Sequence, residues 1–177
     1  DTDGAVAFTI DFVDTAGNPG TLLTSTSDSS SVTFDKTAPT LSSVSIDSDS
    51  ATNTATNEIA TVGDTVTLSF TASETIAAPT VASSVGGVSA EGPVTYANVS
   101  GNDWTATFTL AAGDTGGAVA FTIDFADTVG NAGTQVTSTT DSSSVTFDST
   151  APTLSSVSID SDSATNTATN EIAKVGD

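Results

Sequence analysis

Apolar residues alternate with small polar ones through much of this chain. In TVTLSFTASE, Val66, Leu68 and Phe70 point one way and Thr67, Ser69 and Thr71 the other. Trp104, Ala106, Phe108 and Leu110 repeat the pattern, as do Val119, Phe121, Ile123 and Phe125. A period of two marks a strand with one face buried and the other in water, the habit of antiparallel sheets. Leu41, Val44 and Ile46 predict an earlier strand, Val145 to Phe147 a last one, and residues 79–85 and 94–99 two weaker ones. Turn signals separate them: Gly86-Gly87, Gly101-Asn102-Asp103, Ala111 to Asp114, Gly116-Gly117 and Gly130-Asn131. Helical periodicity is nearly absent.

Residues 1–64 align without a gap onto residues 114–177, and only nine of the 64 pairs differ. The differing pairs are Asp3/Gly116, Val13/Ala126, Ala16/Val129, Pro19/Ala132, Leu22/Gln135, Leu23/Val136, Ser27/Thr140, Lys36/Ser149 and Thr61/Lys174. The offset of 113 residues is the size of a whole domain rather than of one solenoid coil. About seven short strands in roughly 110 residues is the profile of an immunoglobulin-like antiparallel β-sandwich. Phe70, Trp104, Phe108, Phe121 and Ile123 are expected in its core. The linker Phe34-Asp35-Lys36-Thr37-Ala38-Pro39-Thr40, repeated as residues 147–153, suits a short stiff hinge because proline interrupts strand pairing. Cut there, the chain is an all-β tandem array: the end of one repeat (1–36), a complete repeat (37–149) and the start of a third (150–177). Residues 1–36 should then fold like 114–149, and 150–177 like 37–64.

Charge narrows the partners. The chain has 22 acidic residues against two lysines, a formal net charge of −20, and residues 37–149 hold 12 acids and no base. Such a surface repels nucleic acid and anionic membrane, which need Lys or Arg to neutralise phosphate. Strong acidity also favours disorder, but 36% hydrophobic residues in ordered strand patterns oppose it. There is no cysteine and therefore no disulfide. With no apolar run of 18 residues, this segment is expected neither to span nor to target a membrane. The absence of Cys and the abundance of Ser, Thr, Asn, Gly and Asp suit an exported, extracellular protein of a bacterial cell surface.

Four motifs stand in order within the period: Asp35-Lys36-Thr37-Ala38-Pro39, VGDTVTLSFTASE (Val62 to Glu74), Gly101-Asn102-Asp103-Trp104, and IDFADTVGNAG (Ile123 to Gly133). Together they resemble the bacterial immunoglobulin-like repeats of giant surface adhesins and biofilm-associated proteins. The resemblance covers the whole chain, although residues 81–97 match nothing in that pattern. It implies a stalk or spacer role more than any particular ligand.

With no His, Cys or Arg, the usual parts of general-base, thiol and phosphoryl-transfer catalysis are missing, and no carboxylate pair stands out for a glycosidase. We expect no enzyme. Calcium is better suited, because it takes six to eight oxygen ligands from Asp, Glu, Asn and backbone carbonyls. In an immunoglobulin-like sandwich the loop bearing Asp47 and Asp49 should approach the following linker, at Asp148. Glu74 and the loop Asp127 to Asn131 should approach the preceding linker, at Asp35. The candidate ligands at domain junctions are thus Asp35, Asp47, Asp49, Glu74, Asp127, Asn131 and Asp148. The resemblance points the same way, since related adhesin stalks are stiffened by calcium at their junctions. The same Asp and Asn residues also make ordinary turns without any metal. No segment fits an EF-hand: Asp47-Ser48-Asp49 lacks the central Gly and terminal Glu. The run Ala51 to Asn57 reads as a polar loop rather than an ice- or glycan-binding array. Asn98-Val99-Ser100 is an isolated glycosylation pattern.

These observations lead to a structural repeat segment of a secreted bacterial adhesin or matrix protein, a calcium-stiffened stalk whose partners are neighbouring repeats of the same protein. The alternative is a subunit of a self-assembling filament, sheath or surface layer, completed by strand addition between copies. A carbohydrate- or ice-binding module is a third reading.

Overall fold

The computed structural model describes residues 2–50 and 57–161, and every regular element among them is a strand. β1 (Gly4–Ala5) and β2 (Thr33–Phe34) pair with each other near the amino terminus. Nine further strands form two sheets: β3 (Leu41–Ser48), β4 (Asn57–Ala60), β5 (Thr65–Ala72), β6 (Thr80–Val85), β7 (Val88–Ser89), β8 (Thr95–Ser100), β9 (Asp103–Thr109), β10 (Gly117–Asp124) and β11 (Ser144–Phe147). One sheet has the order β3-β5-β9-β8 and is antiparallel throughout. The other runs β4-β11-β10-β6-β7 and is antiparallel except for the β4–β11 pair. This is an all-β sandwich, and its four-stranded sheet follows the A-B-E-D order of immunoglobulin domains.

Alternation builds the core. Val66, Leu68, Phe70 and Ala72 of β5 face inward, opposite Val119, Phe121 and Ile123 of β10 and Val145 and Phe147 of β11. β9 adds Ala106 and Phe108, with Leu110 just beyond it. Four of the five residues expected in the core are buried; Trp104, near the start of β9, packs against the core but stays partly exposed. The predicted strand at Leu41, Val44 and Ile46 has an odd spacing of three between its first two apolar residues. The structure resolves this with a shift of register between Ser42 and Ser45, where Ser43 takes a φ of 52°. The irregularity brings Val44 and Ile46 into phase with the buried face.

Nine strands replace the seven or so expected, because β4 and β7 carry little pattern of their own. β7 exists through its turn. Gly86 and Gly87 both have positive φ (56° and 84°), which lets Val85 pair with Val88 across a two-residue hairpin. A side chain at Gly86 would also stand 2.7 Å from the Thr115 carbonyl oxygen. The hairpin lies within residues 81–97, the stretch without a recognisable motif.

The two copies of the repeat behave differently at their two ends. Residues 2–36 reproduce 115–149: Gly4 pairs with Phe34 as Gly117 does with Phe147, and Ile10 bridges Leu23 as Ile123 bridges Val136. The second expectation fails over the described part. Residues 41–48 form β3, whereas 154–161 contain no strand, and Ile159 is 98% exposed where its counterpart Ile46 is 4%. β3 takes its form by pairing with β5. The remainder of that copy, with the run Ala51 to Thr56, lies outside the described residues.

Candidate cation site at the linker

Three of the predicted acids meet. Carboxylate oxygens of Asp35, Glu74 and Asp127 all lie within 4.8 Å of one another, the one grouping of three or more such side chains among the described residues. Asp35 sits in the linker just after β2, Glu74 just after β5, and Asp127 in the loop after β10. The topology makes the meeting. β5 and β10 end at the pole where the chain enters β3, so the loops that leave them face the linker.

The Asp127 loop is built by its own hydrogen bonds. Its Oδ1 accepts the backbone N–H groups of Val129, Gly130 and Asn131 at 2.9, 2.7 and 2.8 Å, and its Oδ2 accepts Asn131 Nδ2 at 2.7 Å. These bonds satisfy a carboxylate that is only 3% exposed. Asn131 also donates through Nδ2 to the Asp35 carbonyl oxygen at 3.3 Å, tying the loop to the linker. The earlier copy of this loop closes in the same way: Asp14 Oδ1 accepts the N–H groups of Ala16 and Asn18 at 2.9 Å each, and Oδ2 accepts Asn18 Nδ2 at 2.8 Å. Asp-Thr-x-Gly-Asn is therefore a self-contained turn. What distinguishes the second copy is the arrival of Asp35 and Glu74.

Crowding of like charge shows in the titration of these groups. Burial pushes the Glu74 carboxyl above its ordinary value, and the negative charges of Asp35, Asp127 and Asp3 push it further. Asp127 goes the other way. Burial raises it, but hydrogen bonds from the Asn131 side chain and from the backbone of Asn131, Val129 and Gly130 outweigh that and hold it below its ordinary value.

Asp3 was not among the residues singled out from sequence. Its carboxylate accepts the Lys36 N–H at 2.9 Å and the Thr37 hydroxyl, and it contributes to the field at Glu74. The signal was available in the comparison of copies. Positions 3 and 36 change together, to Gly116 and Ser149.

The other expected grouping does not form among the described residues. Asp49 Oδ1 accepts the Thr65 N–H at 2.6 Å, and its own N–H donates to the Thr65 carbonyl, locking it onto the start of β5. Asp47 lies exposed on β3, opposite Thr67. Asp148 Oδ1 accepts the Thr150 N–H at 2.8 Å, as Asp35 Oδ1 accepts that of Thr37 at 3.0 Å. Asp47, Asp49 and Asp148 are thus turn and strand acids in this arrangement.

The donor set at Asp35, Glu74 and Asp127 consists of hard oxygens, suited to calcium or magnesium and not to metals that prefer nitrogen or sulfur. Glu74 is the freest ligand, since Asp127 already uses both oxygens in its loop. Among the described residues no helix is long and apolar enough to cross a membrane. No family model and no curated protein matches this chain.

Proposed function

We propose that this chain is a segment of a tandem-repeat stalk in a secreted bacterial adhesin or matrix protein, with calcium holding the linker at Asp35, Glu74 and Asp127. The observation that carries the reading is the convergence of one linker carboxylate with two from the sandwich. Repulsion among them opposes a closed linker, and a divalent cation between them reverses the sign of that term. The repeat supports the spacer role, because a spacer needs copy number more than distinct surfaces. Extracellular placement is part of the same proposal. It is supported by the acidic, cysteine-free composition and by the resemblance of the motifs to adhesin repeats.

Small-angle scattering of the chain with calcium, with chelator, and as a Glu74→Gln variant tests it. Chelation should leave the sandwich folded but broaden the range of linker conformations. The variant should respond less to calcium than the parent. Calcium should also raise the melting temperature of the parent by mass action. Identical scattering and melting in all three samples would leave the linker held by packing and hydrogen bonds alone.

A further inference from the structure

The long edges of the sandwich are guarded, with one exception. Along β3, the Val44 carbonyl accepts the Thr140 N–H at 2.8 Å, Ser143 Oγ accepts the Ile46 N–H at 2.9 Å, and Glu58 Oε2 accepts the Ser48 N–H at 2.6 Å. On β6, beyond the reach of β7, the Tyr96 hydroxyl accepts the Val81 N–H at 3.3 Å and donates to its carbonyl at 3.2 Å. β4 and β7 end their sheet with only four and two residues. β8 differs. It ends the four-stranded sheet with six residues, Thr95–Ser100, all of them exposed.

The ladder shows which backbone groups of β8 are open. The Ala72 N–H donates to the Asn102 carbonyl and the Leu110 N–H to the Asp64 carbonyl, and the pairing of β5 with β9 is regular between them. Alternation therefore directs the backbone groups of Trp104, Ala106 and Phe108 at β5, and those of Thr105 and Thr107 at β8. The partners of Thr105 and Thr107 are Ala97 and Thr95, so Tyr96 and Asn98 turn N–H and C=O to the open side. Among the described residues nothing on that side hydrogen-bonds to them. Edge strands are ordinarily protected by a charge, a proline, a bulge or a cover. β8 has neither charge nor proline, and residues 92–102 hold no acid although 37–149 hold 12. Its register shift falls at the far end, between Asn98 and Ser100.

We propose that β8 pairs with β8 of a second copy, antiparallel about a two-fold axis at Ala97, joining two four-stranded sheets into one of eight strands. Tyr96 then lies opposite Asn98 of the second copy, and each of the two such pairs exchanges two hydrogen bonds. The charge pattern selects a second copy as the occupant. A basic partner is drawn to the carboxylates of the loops, whereas an uncharged edge attracts none and lets two chains of net charge −20 meet with least repulsion. An antiparallel edge is also its own complement under a two-fold axis. Six residues a side make a small contact, so the dimer is weak and concentration-dependent. This pairing rests on neither calcium nor the stalk reading.

Sedimentation of the full chain at rising concentration tests it, in moderate salt that screens the net charge. The weight-average mass should climb from one chain toward two and stop there, because the contact occupies the edge on both sides. Asn98→Pro deletes an N–H that points away from β9, so the ladder stays whole and the chain should remain monomeric. Asn98→Asp places a charge on each side of the axis and should weaken association without the backbone constraint of proline. Cysteine reads the register, since the chain has none of its own. Ala97→Cys should give a disulfide-linked dimer on mild oxidation, because partners that are not hydrogen-bonded to each other lie closest. Ala120→Cys, exposed on the other sheet, should stay largely monomeric. The proposal is overturned if the parent is monomeric throughout, if both Asn98 variants associate as the parent does, or if the two cysteine variants cross-link alike.

Discussion

The hairpins 2–34 and 115–147 share most of their sequence and their hydrogen-bond pattern, yet one lies on the surface and the other supplies six of the nineteen buried residues of the core. Their turns match in detail. Gly17 and Gly130 take φ of 91° and 102°, Ser29 and Ser142 take 62° and 65°, and the Asp14 and Asp127 loops close through equivalent bonds. Phe8 is 39% exposed and Phe121 7%. The difference teaches that turn chemistry and register are set locally, while burial depends on what the rest of the chain supplies. The carboxyl-terminal copy marks the limit of that independence. A hairpin carries its own ladder, whereas residues 154–161 form no strand although their counterparts 41–48 form β3 against β5.

Amide exchange should separate the hairpins most widely. The Ile123 and Val136 N–H groups, bonded to each other's carbonyls inside the sandwich, should exchange only on global unfolding. The equivalent Ile10 and Leu23 groups should exchange by local opening. Equal protection at the two sites would mean that the amino-terminal face is covered in solution. Core truncation comes next. Phe121→Ala should destabilise the sandwich by about 3–5 kcal/mol in urea unfolding, whereas Phe8→Ala should leave the midpoint nearly unchanged. Comparable losses would show that the two faces share a core.

The loop acids give a smaller contrast. Asp127→Ala removes the acceptor of four hydrogen bonds from a buried loop and should lower the urea midpoint; Asp14→Ala breaks three of the matching bonds on an exposed loop and should move it less. The smallest effect is in pH. Glu74 has a raised value in the fold, so stability should fall as pH climbs from the ordinary Glu range through that value. Asp127 has a lowered value, so the stability it lends is present above the ordinary Asp range and lost as pH drops through its folded value. Glu74→Gln should abolish the first slope and leave the second. A profile unchanged by that variant would remove Glu74 from the crowded site.

Much of this was legible in sequence, for reasons that vary by residue. β5, β9 and β10 announce themselves because seven or eight residues are enough to display a period of two. β4 and β7, four and two residues long, are too short to display one, and they exist because β11 and β6 offer edges to pair with. The meeting of Glu74, Asp127 and Asp35 could be read from which loops share a pole. The fate of Asp49 could not, since whether a loop carboxylate turns outward or caps the next strand depends on one backbone N–H within reach, here that of Thr65. Trp104 was placed by its apolar character, but its position near the start of β9 leaves its ring at the margin of the core.

The parallel pairing of β4 with β11 has a mechanical consequence. β4 lies toward the entry of the sandwich sequence and β11 at its exit, and the two strands run in the same direction over four residue pairs. A pull on the two chain ends therefore slides them past each other lengthwise. The hydrogen bonds between them, together with the one from the Asp148 N–H to the Ala60 carbonyl at 2.9 Å, are strained as a group and must fail nearly together. Antiparallel strands drawn apart from one end would instead open one bond at a time. Under tension, the same few bonds resist as a clasp rather than a zip.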